Sequence, residues 1–228
     1  MKILCIADIH GKLDSILNAA EFAKERGINN VIILGDFTGH GKFHDSKLNS
    51  QDALYALSTL NDSGLDVLAI TGNCDSLPVL EVFNKFNANL HEKVKELSGV
   101  YFIGLGGSNP TPFNTPLEFS EQDIYNKLSE MMSAAGTENK KNIVLITHCP
   151  PKDTKCDNAL RGHVGSESLR KIIGEFQPNL AVSSHIHECG GVKDKIGETT
   201  VANIGTLAEM RCGIIDTEKL DIELMRMG

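Results

Sequence analysis

The chain has 228 residues, 41% of them hydrophobic and 23% charged, and a formal net charge of -8. Those proportions suit a globular chain that buries one core, so a single domain over 1–228 is expected, and the acidic balance argues against polymeric nucleic acid, whose binding depends on Lys and Arg displacing counterions. No apolar run is long enough to span a bilayer, the six cysteines stand singly without a CxxC pair, and Met1 leads at once into an apolar run, so a cytoplasmic location without a membrane partner is expected.

The run from Lys2 to Ala7 stops at Asp8-Ile9-His10-Gly11, and Leu13, Ile16, Leu17, Ala20 and Ala23 then fall at helical spacing up to Gly27. This is the pattern of a buried parallel strand feeding a helix, and open α/β sheets keep their ligand crevices at the carboxyl ends of such strands. On an extended chain, residues two apart point to one side, so Asp8 and His10 can converge on one cation. Asn30 to Leu34 repeats the pattern and ends in Gly35-Asp36. A loop is expected from Phe37 to Asn49, then a helix capped by Ser50 with Ala53, Leu54, Leu57 and Leu60 on its apolar face. The third strand, Asp66 to Thr71, delivers Gly72-Asn73-Cys74-Asp75.

A short helix follows over Pro78 to Phe86, and Val94–Leu97 and Val100–Leu105 form an antiparallel pair across Ser98-Gly99. After a Gly- and Pro-rich loop from Gly106 to Pro116, Ser120 caps a helix bearing Ile124, Leu128, Met131 and Ala135. A strand from Asn142 to Thr147 presents His148, an irregular loop runs from Asp153 to Gly165, Ser166 opens another helix, and Leu180 to Ser183 leads into His185-Ile186-His187. Four late strands without intervening helices suggest a mostly antiparallel second sheet, and hence a two-sheet sandwich with helices outside. His91, beside a charged segment, is expected at the surface. His40, His44, Asn109, Arg161 and His163 lie in the irregular loops, where substrate contacts concentrate.

Successive strand ends thus carry Asp8, His10, Asp36, Asn73, His148, His185 and His187, all oxygen or nitrogen donors. One carboxylate can bridge two cations, so these side chains suffice for a binuclear centre. The ordered motifs D-x-H, G-D, G-N-x-D, a lone His after a strand and H-x-H resemble the calcineurin-like metallophosphoesterase family from Asp8 to His187. Gly72-Asn73-Cys74-Asp75 and Gly106-Gly107-Ser108-Asn109 look like its small prokaryotic branch, related to cyclic-nucleotide phosphodiesterases.

The resemblance implies an α/β fold, a four-layer αββα sandwich of two mixed sheets. By motif, Asp8, His10 and His187 would hold one metal and Asn73, His148 and His185 the other, with Asp36 bridging, and Asp36, Asn73 and His148 would be catalytic; from their places in the loops rather than by motif, His40, Asn109 and His163 are expected to contact substrate. The metals would be two divalent transition-metal ions drawn from manganese, iron, zinc, nickel or cobalt, and the mixed imidazole and carboxylate set itself argues against calcium or magnesium. Two such ions outweigh Asp8 and Asp36 and leave a locally positive pocket that attracts phosphate. The implied activity is hydrolysis of small phosphodiesters or monoesters by in-line attack of a hydroxide shared by ions about 3.5 to 4 Å apart.

A metal-dependent nuclease is the alternative enzyme, disfavoured by the acidic balance and by the lack of a basic, aromatic-rich groove. A non-catalytic scaffold of the same fold would be favoured by lost ligands, and none is lost; a homo-oligomer is compatible with the sequence. The loop Asp36-Phe37-Thr38-Gly39-His40-Gly41 lacks the extra acid or Asn of many relatives, and Cys74 stands where many have His. A thiol with an ordinary pKa of about 8.5 is a poor proton donor to a departing alkoxide. Basic leaving groups should then depart slowly, unless His40, His44 or His163 supplies the proton.

Overall fold

In β1 (Lys2–Ile6), Leu4 and Ile6 pack into one hydrophobic core while Ile3 and Cys5 pack into another. A strand with apolar side chains on both faces must be covered on both, which fixes a layered architecture from the first element. The computed structural model describes residues 1–39, 44–135, 142–160 and 162–228. After β1 the elements are α1 (Asp14–Glu25), β2 (Asn30–Ile33), α2 (Ser46–Asp62), β3 (Asp66–Ala69), α3 (Val79–Lys85), β4 (Lys93–Leu97), β5 (Val100–Leu105), α4 (Glu121–Ala134) and β6 (Ile143–Thr147). There follow the two-residue β7 (Asn158–Ala159) and β8 (Gly162–His163), α5 (Glu167–Phe176), β9 (Leu180–Ser183), β10 (Val192–Ile196), β11 (Thr199–Asn203), β12 (Arg211–Asp216) and β13 (Asp221–Arg226).

Two mixed sheets lie face to face, one ordered β13-β12-β1-β2-β3 and the other β10-β11-β9-β6-β5-β4, and β7 pairs with β8 in a small hairpin. Between the sheets, Ile3, Cys5, Ile32, Leu34 and Ile70 meet Phe102, Val144, Ile146, Val182 and Ile204. Outside the first sheet, Ile16, Ala20, Leu57 and Phe83 of α1, α2 and α3 pack on Leu4, Ile6 and Ile33. Outside the second, Ile124, Leu128, Leu169 and Ile172 of α4 and α5 pack on Ile103, Leu145 and Ala181. The expected αββα sandwich is therefore the fold.

Two expectations change. The late strands do not make a sheet of their own: β10 and β11 extend the second sheet through the parallel pairing of β11 with β9, while β12 pairs antiparallel with β1 and carries β13 into the first. Alternation marks which face of a strand is buried but not which neighbour it pairs with. The second helix starts at Ser46 rather than near Ser50, because the Asp45 side chain accepts the Lys47 and Leu48 backbone N–H groups at 3.1 and 3.0 Å. A carboxylate there both satisfies unpaired helix donors and faces the positive end of the helix dipole. Ser120 and Ser166 cap α4 and α5 as expected, accepting from Asp123 N and Leu169 N.

Candidate metal centre

The strands feed the site, but the side chains converge through the turns that follow them. Asp8, His10, Asp36 and His185 all have positive φ, at 52°, 47°, 56° and 66°, a region that non-glycine residues seldom occupy outside constrained sites. Alternation along an extended strand therefore does not explain how Asp8 and His10 meet. Backbone hydrogen bonds hold the turns instead: Asp8 N donates to Gly35 O at 3.0 Å, His10 N to Asp36 O at 3.0 Å, and Gly11 N to Phe37 O at 2.9 Å. Across the second sheet, Ser184 N donates to His148 O at 2.9 Å. Gly35, at φ 92°, runs so close to Gly72 that a Cβ on either would strike the opposing backbone or the Asp36 carboxylate.

Two adjacent groups result. In the first, Asp8, His10 and His187 bring one ligand atom each within 4.8 Å of one another, and Asp36, His148 and His185 do the same in the second. Within the first, His10 Nε2 lies 3.3 Å from His187 Nε2 and 3.8 Å from Asp8 Oδ1, and His187 Nε2 lies 3.6 Å from Asp8 Oδ1. Asp36 Oδ2 sits between the groups, 3.5 Å from His148 Nε2 and 3.7 Å from His10 Nε2. Asn73 joins the second group, with Oδ1 3.0 Å from His148 Nε2 and its amide donating to Thr115 Oγ1 at 2.9 Å.

A second layer orients these groups. His148 Nδ1 is 2.7 Å from Leu34 O and His10 Nδ1 is 3.3 Å from Thr38 O; donation to those carbonyls leaves each Nε2 lone pair facing the cleft, as metal-binding imidazoles require. Ser184 Oγ donates to Asp8 Oδ2, Thr206 Oγ1 donates to Asp8 O at 2.7 Å, and Cys74 N donates to Asp36 Oδ1 at 2.8 Å. The fully buried Asp75 accepts from the backbone N–H groups of Asp36, Phe37 and Gly72 at 2.8, 2.9 and 2.7 Å. Asn203, also buried, donates its amide to Cys156 O, Ser184 O and Ile186 O, which ties the carbonyls on either side of His185 to the loop below β6.

Burial would raise the Asp8 and Asp36 carboxyls, but the surrounding imidazoles outweigh it and hold both below the usual carboxylate range. Burial and then the nearby His148 push His185 down to about 4, so this imidazole is neutral and able to ligate. Burial, and after it the negative charge of Asp36, push Asp75 up to about 7. The Cys74 thiol is buried and pushed far up by burial, Asp36 and Asp75, so it stays protonated.

Of the other candidates, Asn109 donates its side-chain amide to Val164 O at 3.2 Å and so links two loops. His163 pairs through Nδ1 with Asp157 Oδ1 at 2.7 Å. His44 lies in an exposed turn before α2, and His40 and Arg161 lie outside the described residues. His91 is not at the surface: only 4% exposed, it receives the Gly106 N–H at Nδ1 and contacts Thr71 Oγ1, each at 3.0 Å, which joins the end of β5 to the end of β3. The charge of its neighbours is a poor guide here because Glu92 Oε1 lies 3.5 Å from His91 Nε2 and is itself paired with Lys127 Nζ at 2.9 Å, so these charges face the buried ring and each other. Asp75, Asn203 and Asp157 were not singled out from the sequence. For Asp75, its place in Gly72-Asn73-Cys74-Asp75 was the available signal.

The residues present fit a pair of cations. Asp8 Oδ1 is buried and has no hydrogen-bond partner among the described residues, a costly arrangement for a carboxylate oxygen unless a cation faces it. The donors are imidazole, carboxylate and amide, the set that suits transition metals. Paired groups of this kind at the strand ends of an αββα sandwich are suited to metal-dependent hydrolysis. Residues 1–189 match the calcineurin-like phosphoesterase family, and the chain belongs to it. It is 40% identical to the uncharacterized protein MJ1162 of Methanocaldococcus jannaschii over 208 residues, covering 89% of this chain and 87% of that one. It is 34% identical to phosphodiesterase YfcE of Escherichia coli K12 over 76 residues, 33% of this chain and 41% of that protein. The fold matches a dimetal phosphatase from Danio rerio with a TM-score of 0.67 and 12% identity, over 100% of this chain and 99% of the other. An archaeal phosphodiesterase matches with a TM-score of 0.54 and 15% identity, over 99% of each chain. Among the described residues no helix is long and apolar enough to cross a membrane.

Proposed function

We propose that the protein hydrolyses small phosphodiesters or monoesters at a binuclear centre in the cytoplasm, the whole chain acting as one domain. Asp8, His10 and His187 would hold one divalent ion, Asn73, His148 and His185 the other, and Asp36 both, with manganese, iron, zinc, nickel and cobalt as the candidate metals. The observation that carries this reading is Asp36 Oδ2, within 3.7 Å of an imidazole from each group. When bound, a pair of such ions activates water and neutralises charge on the phosphoryl oxygens.

This chain's own residues do the rest. The backbone N–H of Cys74 and the carboxylate of Asp75 fix the direction in which Asp36 points. Asn73, anchored by Thr115, presents an amide oxygen to the cleft. The small-substrate reading is supported by the net charge of -8, which repels a polyanion away from the locally positive cleft. Similarity to a protein named as a phosphodiesterase favours diesters among the substrates. Metal analysis of the purified protein, followed by a panel of phosphate diesters and monoesters with each metal restored in turn, tests the proposal. Two ions per chain and metal-dependent ester hydrolysis are expected; full activity with a single ion per chain would refute the binuclear reading.

A further inference from the structure

Any phosphoester hydrolase must protonate a basic leaving oxygen, and Cys74 is ill suited to it. Its thiol is buried, held protonated by burial and by Asp36 and Asp75, and its backbone N–H is already committed to Asp36. Among the described residues, the hairpin β7–β8 carries a better arrangement. Asp157 is fully buried, with Oδ1 receiving His163 Nδ1 at 2.7 Å and Thr154 N at 2.8 Å and Oδ2 receiving Gly165 N at 3.0 Å. The His163 side chain is 41% exposed. A carboxylate fixed on Nδ1 sets the tautomer and turns Nε2 outward, as in an acid–base imidazole oriented by an aspartate.

The hairpin is tied on both sides to segments that carry candidate ligands. The Cys189 thiol, in the turn that begins at His187, donates to Asn158 O at 3.2 Å. Asn203 joins Cys156 O to Ser184 O and Ile186 O, around His185. On the other side, Val164 O accepts the Asn109 amide, and the loop that follows Asn109 returns to Asn73 through Leu117 N–H to Asn73 O at 3.1 Å.

We infer that His163, oriented by Asp157, is the acid that protonates the leaving oxygen. This rests on the phosphoesterase reading above. As hydroxide forms the new P–O bond, the old P–O bond breaks and its electron pair leaves with the alkoxide or aryloxide. That oxygen takes the Nε2 proton of the imidazolium, the hydroxide proton remains with the product phosphate, and the imidazole regains its proton from solvent. The groups facing His163 agree in direction: its hydrogen bond to Asp157 raises its pKa against desolvation, the charges of Asp157 and Asp153 add to this and Arg170 opposes it, and the balance is upward.

The test measures kcat and KM of the metal-loaded protein for phosphodiesters whose leaving groups range from nitrophenolate to simple alkoxide. The parent should show a shallow dependence on leaving-group basicity. H163Q should show a steep one, with a loss of about 10² to 10⁴ on the most basic esters, little loss on nitrophenyl esters and little change in KM. The alkaline limb of the parent's kcat profile should vanish in H163Q and move to lower pH in D157N, because the carboxylate that raises the imidazole is gone. Should D157N disturb the loop it buttresses, H163A with added imidazole replaces it, and rescue should favour the basic esters. An equal loss on every ester, a rise in KM alone, or an unaltered slope in H163Q would overturn the assignment while leaving the phosphoesterase intact. A parent that binds two metals yet cleaves no ester would instead overturn the underlying reading, and this with it.

Discussion

The two candidate groups lie on either side of the Asp36 carboxylate but are built differently. The second group is the more buried, its His148 side chain 0% exposed and Asp36 only 3% although His185 is half-buried, and three of its four donors have a named support: Leu34 O for His148, Thr115 for Asn73, Cys74 N and Asp75 for Asp36. The first group opens to solvent through His187, whose side chain is 32% exposed, and Asp8 Oδ1 there is buried without a hydrogen-bond partner among the described residues. Preorganised donors lose less entropy on binding, and buried ones exchange with water more slowly. The second group should therefore bind its ion more tightly, and the first should be the exchangeable position.

The largest effect that could break this asymmetry belongs to Asp36. Asp36→Asn should reduce kcat/KM by more than about 10³-fold, beyond the loss of a single electrostatic donor, and lower the metal content at both positions. Asp8→Asn should remove only the exposed ion. Equal metal loss in the two variants, read by elemental analysis, would show that the groups do not differ. Next in size is chelation: a competing chelator should strip the metals in two phases, the first-group ion leaving first. Both phases should quicken as pH falls through about 6.5, where free imidazoles take up protons and cease to be ligands. A single phase in metal content against chelator concentration would contradict the proposed order. Asp75→Asn should be milder, weakening metal binding about 10- to 100-fold, more at the second position than at the first. The carboxylate serves three backbone donors, and an amide offers only one acceptor oxygen while turning its NH₂ toward another N–H. Competition titrations that find both positions equally weakened would remove Asp75 as a support particular to the second group.

That asymmetry was only partly legible in the sequence. Each candidate ligand follows an apolar run, and a run buried on both faces is hard to mistake, so the strand ends and their donors could be read from periodicity. What could not be read is how the chain leaves the strand. The positive φ of Asp8, His10, Asp36 and His185 depends on backbone bonds between turns far apart in sequence, such as Asp8 N to Gly35 O. The supporting residues were hidden for the same reason: Asn203 acts on carbonyls 17 to 47 positions away, and nothing in a strand-end Asn announces such partners. His91 was misplaced because a charged neighbourhood is normally a solvated one, whereas here Thr71 and Gly106 enclose the ring. The late strands were divided wrongly because their alternation is equally satisfied in either sheet, and only β12 pairing back onto β1 decides it.

The smallest expected effect lies at Cys74, and it bears on which atoms of the second group do chemical work. Two parts of this residue reach Asp36: the backbone N–H, which donates to Oδ1 at 2.8 Å, and the buried thiol beside the same carboxylate. A protonated thiol is a weak donor, so its share in holding Asp36 should be small beside that of the N–H. Cys74→Ser keeps the backbone and offers a hydroxyl of nearly the same size. Its rate on nitrophenyl diesters and on alkyl diesters should therefore stay within about threefold of the parent, a difference worth less than one ordinary hydrogen bond. Cys74→Ala should also keep its rate while losing stability to the small cavity, by about 1 kcal/mol in chemical denaturation. If either variant lost two orders of magnitude on alkyl esters alone, the thiol would be the acid after all, and the leaving group would depart over the second group rather than toward the hairpin of His163.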